Sequence, residues 1–457
     1  MKFYIVNLPS KHKIIRRYSC SYYANGFLYP PIELLRVTTI IKNNYSLTHQ
    51  IKFTDAVAEG LSASACIADI RKFDPDVVIT LISVDFINEE TEFLTQLRSV
   101  SKAKIIGIGY LPDLFRDQFP QFDVILGNNF EEVIQAAAGI DSTDSFIQKM
   151  NDIRPVPMTF NPDIIEGIDY SFLKKDLYFE FLTKGATAFT YFSFGCPYKC
   201  SFCIRTYNLD KAHYRNFENI KKELLHFHEQ GYHNIRIMDD NCTLHKGLLK
   251  DMLRFIEENN LRFNFYGLTR VDLLDEETAQ LLKALHFKRI FLGLESIYQD
   301  VQKAYNKNIN TGFDFIREKI LTLSRVGIEV SVFLLFNPLT EGKKEILESL
   351  SFIKKLPVLF ANISYLIPYP ETEFYEKNID NITLTTSPVY SVAFKENKVR
   401  QKKWVEYYFL FSFYIFNRHT FFNTLSIPLK YPQQFLLVVK SIFAFLFKKS
   451  DNRDDFI

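Results

Sequence analysis

The chain has 457 residues, and at about 150 residues per domain that length suits two to three domains. Its 55 Lys and Arg against 53 Asp and Glu leave a net charge of +2, too small a basic excess to neutralise a run of phosphates, so a nucleic-acid partner is not expected. A content of 47% hydrophobic and 24% charged residues excludes wholesale disorder.

The first nine residues, Met1-Lys2-Phe3-Tyr4-Ile5-Val6-Asn7-Leu8-Pro9, form too short an apolar run for a signal peptide. No stretch free of Asp, Glu, Lys and Arg reaches the roughly 18 residues of a spanning helix. A cytoplasmic protein is therefore expected. Residues 1–140 alternate β-branched runs (3–7, 50–54, 77–82, 104–108, 124–126) with amphipathic helical patterns (32–43, 62–73, 89–99, 131–138). That rhythm predicts an α/β fold with a doubly wound, Rossmann-like parallel sheet, whose ligand edge lies at the strands' carboxyl ends, near Ser83, Gly107 and Gly109. Residues 141–185 carry Pro155, Pro157 and Pro162 with little periodicity and read as a linker.

From 186 to 377 the alternation resumes, with strands expected at 188–194, 234–238, 262–267, 289–294, 329–336 and 362–367 and helices at 216–230, 244–259, 275–285, 312–325 and 341–355. Six strand–helix units predict a partial (β/α)6 TIM-type barrel with its chemistry at the carboxyl ends of the strands. Residues 378–457 form an aromatic-rich region expected to be helical, either as a cap on the barrel or as a peripheral contact with the inner membrane surface.

Six cysteines in a chain this long are no disulfide framework, but three are grouped in Gly195-Cys196-Pro197-Tyr198-Lys199-Cys200-Ser201-Phe202-Cys203, at the end of the first barrel strand. Three thiolates from one loop can wrap a cubane iron–sulfur cluster and leave one iron open to a substrate. Structural zinc would want four ligands, and Cys242, which could be a fourth, sits on another loop. A redox dithiol at Cys200 and Cys203 leaves Cys196 without a role.

The loop resembles the CxxxCxxC signature of the radical SAM superfamily, with its aromatic residue before the last cysteine. The resemblance implies that Cys196, Cys200 and Cys203 hold a 4Fe–4S cluster whose open iron is chelated by S-adenosylmethionine, and that Phe202 lies near the adenine. It also implies an electron donor such as flavodoxin or ferredoxin. Gly293-Leu294-Glu295-Ser296 looks like the family's Gly-x-Glu element, which places Glu295 at the ribose or amino end of SAM. Asp239 in Asp239-Asp240-Asn241 and Arg270 in Thr269-Arg270-Val271-Asp272 are further candidates for SAM contact. Pro368-Tyr369-Pro370-Glu371-Thr372 is similar to a late Pro-Tyr-Pro-Gly-Thr turn with Glu371 in place of glycine, and Asn337-Pro338-Leu339-Thr340-Glu341 departs from a usual Gly-Leu-Pro-Gly-Glu.

The front domain resembles the cobalamin-binding domain that precedes many radical SAM barrels, through Tyr29–Leu35, Pro75–Val84, Ile106–Gly109 and the run Asp123–Glu132. Ser83, Gly107 and Gly109 are then the cobalamin-contact candidates. No Asp-x-His-x-x-Gly motif is present, so no histidine is placed to ligate cobalt from below. Together these resemblances imply cobalamin-assisted methyl transfer, or ring formation or oxidation, at an unactivated carbon of a small or lipid-like substrate. The alternatives are a radical SAM enzyme with a vestigial front domain and a non-catalytic iron–sulfur scaffold; methylthiolation of tRNA is disfavoured by the charge.

Overall fold

The computed structural model describes residues 1–384, 392–395, 429–432 and 436, apart from 19–20, 24–26, 45–48, 112, 155–158, 205–206, 208, 308 and 310–311. Most of the aromatic-rich region expected to be helical therefore lies outside the described residues. Two parallel sheets carry the molecule.

The first has five strands, in the order Gln50–Asp55, Lys2–Asn7, Val77–Leu81, Lys104–Ile108 and Val124–Leu126. Every neighbouring pair is parallel. Counted along the chain this is the order 2-1-3-4-5, with its topological switch between the first and third strands. The alternation of side chains across the pleat explains why the strands read as continuous apolar runs. Phe3, Ile5, Ile79 and Ile106 share one core with Val37 and Ile40 of the helix Ile32–Asn44 and with Val133 and Ile134 of the helix Phe130–Ala137. Tyr4, Val6, Val78 and Ile105 face another with Cys66 and Ile70 of the helix Ala63–Phe73 and Leu94 and Leu97 of the helix Ile87–Val100. Helices thus cover both faces of the sheet.

The second sheet has six parallel strands, neighbours in chain order: Thr187–Thr190, Asn234–Ile237, Asn264–Arg270, Phe287–Glu295, Glu329–Phe336 and Val358–Tyr365. Three strand positions differ from the sequence reading. The strand expected at 262–267 runs Asn264–Arg270 and so ends on Arg270. The run 188–194 is broken after Thr190, and Ser193–Phe194 pairs antiparallel with His213–Tyr214 instead. The last strand begins at Val358 rather than 362, because Val358 and Phe360 align with the preceding strand at Val330 and Ser331.

Three further elements were not legible in the apolar rhythm. A short hairpin pairs Ile14–Arg16 with Ser21–Tyr23. The stretch 141–185, expected as a linker, opens with the helix Thr143–Ile153, whose Ser142 hydroxyl caps the Ser145 N–H and whose Phe146 and Met150 are fully buried. Its later residues Ile165, Ile168, Tyr170 and Tyr178 are buried in the core shared by both sheets. Beyond residue 378, the described residues include an antiparallel pair, Ile382–Leu384 with Val392–Phe394, that was not expected, and helical backbone at 429–430, 432 and 436.

The strand ends of the two sheets meet. Tyr369, in the turn after the last strand, donates to Asp85 Oδ1 at 2.9 Å, just past the third strand of the first sheet. Tyr110, past the fourth, donates to the Pro370 carbonyl. The cysteine loop lies beside this seam, with Phe202 packed on the core that includes Leu111, Phe115, Tyr305 and Phe374.

Candidate active site

The loop from Gly195 to Cys203 is shaped by its backbone. Gly195 has φ 81°, and a side chain there would run into Leu209 and the Lys211 carbonyl. The Ser201 N–H donates to the Tyr305 carbonyl at 2.9 Å, the Ser201 hydroxyl to the Ala304 carbonyl at 2.9 Å, and the Phe374 N–H to the Ser201 carbonyl at 2.8 Å. The middle of the loop is therefore pinned between the helix Gln299–Ala304 and the turn after the last strand.

The three cysteines differ in setting: Cys196 is buried, Cys200 half-buried and Cys203 exposed. Each buried sulfur has a polar neighbour from the second sheet. Asn241 Nδ2 donates to Cys196 Sγ at 3.1 Å, and Arg270 Nη1 reaches Cys200 Sγ at 3.5 Å. Asn241 Oδ1 in turn accepts from the Arg270 N–H at 3.1 Å, which ties the two donors together. Burial pushes the Cys196 thiol up to about 11, with the Arg270 charge opposing. Burial also raises Cys200, against the positive charges of Lys307 and Arg270. Among the described residues no three His, Cys, Asp or Glu side chains close around a single ion. The loop offers three sulfurs, with hydrogen-bond donors aimed at two of them, a donor set that suits a cubane cluster.

Arg270, expected at the SAM carboxylate, is largely committed elsewhere. Its Nε and Nη2 grip Asp272 at 3.0 Å each, Nη2 also reaches the Lys307 carbonyl at 2.9 Å, and its guanidinium stacks 3.8 Å from the centre of the Tyr198 ring. Asp239 likewise serves the loop. Its buried carboxylate accepts from the Phe192 N–H at 2.7 Å and the Ser193 hydroxyl at 2.6 Å, and burial raises it to about 6 despite those bonds. It fixes the chain just before Gly195.

Glu295 ends its strand at φ 63°, a conformation uncommon for a residue with a Cβ. The pairing register slips there, Gly293 facing Phe333 and Glu295 facing Leu334, so the carboxylate is re-aimed. Lys307, buried, donates to Glu295 Oε1 at 2.6 Å and to the Gly293 carbonyl at 2.8 Å. Sequence reasoning missed Lys307: it stands in a loop with no motif around it. Glu341 was seen only as part of a divergent loop. It accepts from the Asn337 N–H at 2.7 Å and the Ser296 hydroxyl at 3.0 Å, and burial raises it to about 7. Phe202 is half-buried and meets Tyr305 edge-on at 4.9 Å. Glu371 has φ 65°, as a residue replacing glycine must.

The three small residues proposed at the edge of the first sheet are used by the protein itself. A Cβ on Gly107 would stand 2.9 Å from the Phe122 ring, and one on Gly109, whose φ is 139°, would stand 2.7 Å from the Ile82 carbonyl. The Ser83 hydroxyl donates to Asp85 Oδ2 at 3.0 Å and its N–H to Glu90 Oε2 at 3.0 Å.

Comparison with known proteins agrees with this arrangement. Residues 190–353 match the Radical SAM superfamily. The chain is 24% identical over 407 residues to an uncharacterized methyltransferase, PH0819, of Pyrococcus horikoshii, covering 84% of this chain and 85% of that one. It is 28% identical over 199 residues to bacteriochlorophyllide d C-8(2)-methyltransferase of Chlorobaculum tepidum, covering 41% and 43%. Its fold resembles that of the radical S-adenosylmethionine methyltransferase TsrM from Kitasatospora setae, solved with cobalamin and a [4Fe-4S] cluster, with a TM-score of 0.61, 15% identity, and 84% and 76% of the two chains covered. Residues 190–353 are therefore identified as a radical SAM domain, within a chain whose fold as a whole resembles that of TsrM.

Proposed function

We infer that the enzyme is a cobalamin-dependent methyltransferase acting on an unactivated carbon of a small or lipid-like molecule. In this reading residues 1–140 are a doubly wound cobalamin domain, 141–185 join it to a partial (β/α)6 barrel at 186–377, and 378–457 form a C-terminal region. The observation that carries it is the pair of donors, Asn241 and Arg270, aimed at two sulfurs of a cysteine loop that lies against the strand ends of the first sheet. The relative named as a bacteriochlorophyllide methyltransferase supports methyl transfer.

When bound, the cluster and SAM supply a 5′-deoxyadenosyl radical and, with cobalamin, a transferable methyl group. The protein's own residues do the rest. Cys196, Cys200 and Cys203 would hold the cluster. Asn241 and Arg270, which donate to two of the sulfurs, would draw charge from those thiolates and so ease reduction by a donor such as flavodoxin or ferredoxin. Glu295, anchored through Oε1 by Lys307, would offer its carboxylate to the positive amino end of SAM. Phe202, backed by the buried Tyr305 ring, would give the adenine an apolar face, and Asp239 holds the entry of the loop. The contacts across the seam, Tyr369 to Asp85 and Tyr110 to the Pro370 carbonyl, hold the strand ends of the two sheets together beside the loop.

Ser83, Gly107 and Gly109 serve the packing of the strand ends. What favours cobalamin is the 2-1-3-4-5 sheet whose strand ends face the cysteine loop. Among the described residues no helix is long and apolar enough to cross a membrane; a peripheral contact through 404–447 falls, apart from 429–432 and 436, on residues outside those described.

The test is anaerobic reconstitution of the full chain with iron, sulfide and hydroxocobalamin, followed by desalting. Retained cobalt near one per chain, with SAM converted to 5′-deoxyadenosine under strong reductant, is the expected result. A protein that cleaves SAM and never retains cobalt is instead a radical SAM enzyme with a vestigial front domain.

A further inference from the structure

We propose that Arg36 and Glu131 of the first domain are positioning residues for the cluster, clamping both ends of the cysteine loop through one buried ion pair. This rests on the reading of Cys196, Cys200 and Cys203 as the cluster's ligands.

The pair joins two helices on one face of the first sheet. Arg36 Nε and Nη2 donate to Glu131 Oε1 and Oε2 at 2.6 and 2.7 Å, and both side chains are 1% exposed. A fork-on-fork pair of this kind fixes direction as well as distance. Two contacts carry that geometry across the seam. The Arg36 guanidinium lies 4.8 Å from the centre of the Phe194 ring, two residues before Cys196. Tyr207, four residues after Cys203, donates its hydroxyl to Glu131 Oε1 at 3.0 Å, the same oxygen that Arg36 Nε holds. The Phe194 and Tyr207 rings are stacked on each other at 5.5 Å and 20°. Entry and exit of the loop are therefore bound to one another and to one charge pair, and all four residues are buried.

A buried ion pair contributes little net stability compared with an apolar pair of the same shape, so mere adhesion between the two helices does not explain its presence. Its distinctive property is directional. Tyr207 has φ 52°, a conformation a tyrosine adopts only when its surroundings hold it. The hydroxyl bond to Glu131 is such a restraint, and it sets where the chain leaves the loop. Cys203 is the exposed cysteine, nearest that exit, and depends most on it.

Two variants test the clamp in the reconstituted full chain. Tyr207→Phe deletes one hydroxyl and keeps the ring stack. The double variant R36M/E131L replaces the charges with apolar side chains of similar size. The readouts are iron release to a ferrous chelator and the electron paramagnetic resonance spectrum of the reduced cluster, with thermal unfolding of the cluster-free protein as the control for folding. The expected result for Tyr207→Phe is iron release at least three-fold faster and a broadened spectrum, with the unfolding midpoint of the cluster-free protein unchanged. The double variant should show a larger effect of the same kind. Iron release and spectrum equal to wild type in folded Tyr207→Phe protein overturn the proposal. Should R36M/E131L fail to fold, Tyr207→Phe alone decides. Wild-type protein that assembles no 4Fe–4S cluster refutes the functional reading instead, so the two failures are distinct.

Discussion

Replacing Lys307 by Met probes the site at its least obvious residue. The ammonium is 5% exposed as a residue and makes two short bonds, 2.6 Å to Glu295 and 2.8 Å to the Gly293 carbonyl. Removing it leaves a carboxylate facing a carbonyl oxygen with no cation between them. Breaking a buried pair from one side costs about 3–5 kcal/mol, and because the Glu295 side chain keeps 13% exposure the lower end, about 3 kcal/mol, is expected. Adding Glu295→Gln removes the stranded charge, so the double variant K307M/E295Q should recover about 2 kcal/mol relative to the sum of the singles. Urea unfolding of the cluster-free protein under reducing conditions, followed by circular dichroism, measures all four corners of the cycle. In the reconstituted protein SAM brings an ammonium of its own, so it should stabilise Lys307→Met more than it stabilises wild type. Single losses that simply add would show the pair to be screened and would refute the ion-pair argument. Equal stabilisation of both proteins by SAM would remove Glu295 from its amino end.

Further expectations can be checked on the same protein. Anaerobic reconstitution should give about four irons per chain, lost when Cys196, Cys200 and Cys203 are replaced by Ala and unaffected by Cys66→Ala; stoichiometric zinc without iron–sulfur absorption would sink the cluster. Gly109→Val should destabilise the first domain by roughly 2 kcal/mol or more, since the left-handed backbone and the Ile82 carbonyl both oppose a side chain; an unfolding midpoint equal to wild type would show that the strand end can shift. Burial raises the Asp85 carboxyl to about 6, so the stability it contributes is complete below its unfolded value near 3.9 and is lost as pH rises through about 6. Asp85→Asn should therefore gain on wild type by about 2 kcal/mol between pH 4 and 7.5, measured as the difference in urea midpoints; a difference that does not change with pH contradicts this.

Periodicity made the strands of both sheets legible because a strand buried on both faces must be apolar throughout, as Val77–Leu81 is. It failed where burial is carried by other means. Thr143–Ile153 is short, and its buried residues Phe146, Ile147 and Met150 sit among Asp, Lys and Asn. The hairpin Ile14–Arg16 with Ser21–Tyr23 buries Arg16, whose charge reads as surface until Glu90 is found beside it at 2.8 Å. At the site, spacing exposed the three cysteines because one loop supplies them all. Lys307 and Asn241 act through partners on other strands, at Glu295 and Cys196, and no local pattern records that. Gly107 and Gly109 were legible as small residues at a strand end, but a small residue admits a neighbouring ring or carbonyl as readily as a ligand. Phe122 and Ile82 are those neighbours.

The same contacts bear on how the role of the first domain is tested. Deleting residues 1–140 would remove Arg36 from the Phe194 ring, Glu131 from the Tyr207 hydroxyl and Asp85 from Tyr369. It would also uncover Tyr191, which lies in the core shared with Val37 and Ile40. A truncated chain without a cluster would therefore say nothing about cobalamin, since its cysteine loop would have lost its supports. A front domain that binds no cobalt would still be required for the cluster, and one that binds it would sense the cluster through the same residues. Cobalt retention and iron retention must accordingly be measured separately on the full chain. If Tyr207→Phe loosens iron while leaving cobalt content unchanged, the clamp acts on the loop alone; if both fall together, the two cofactor sites share it.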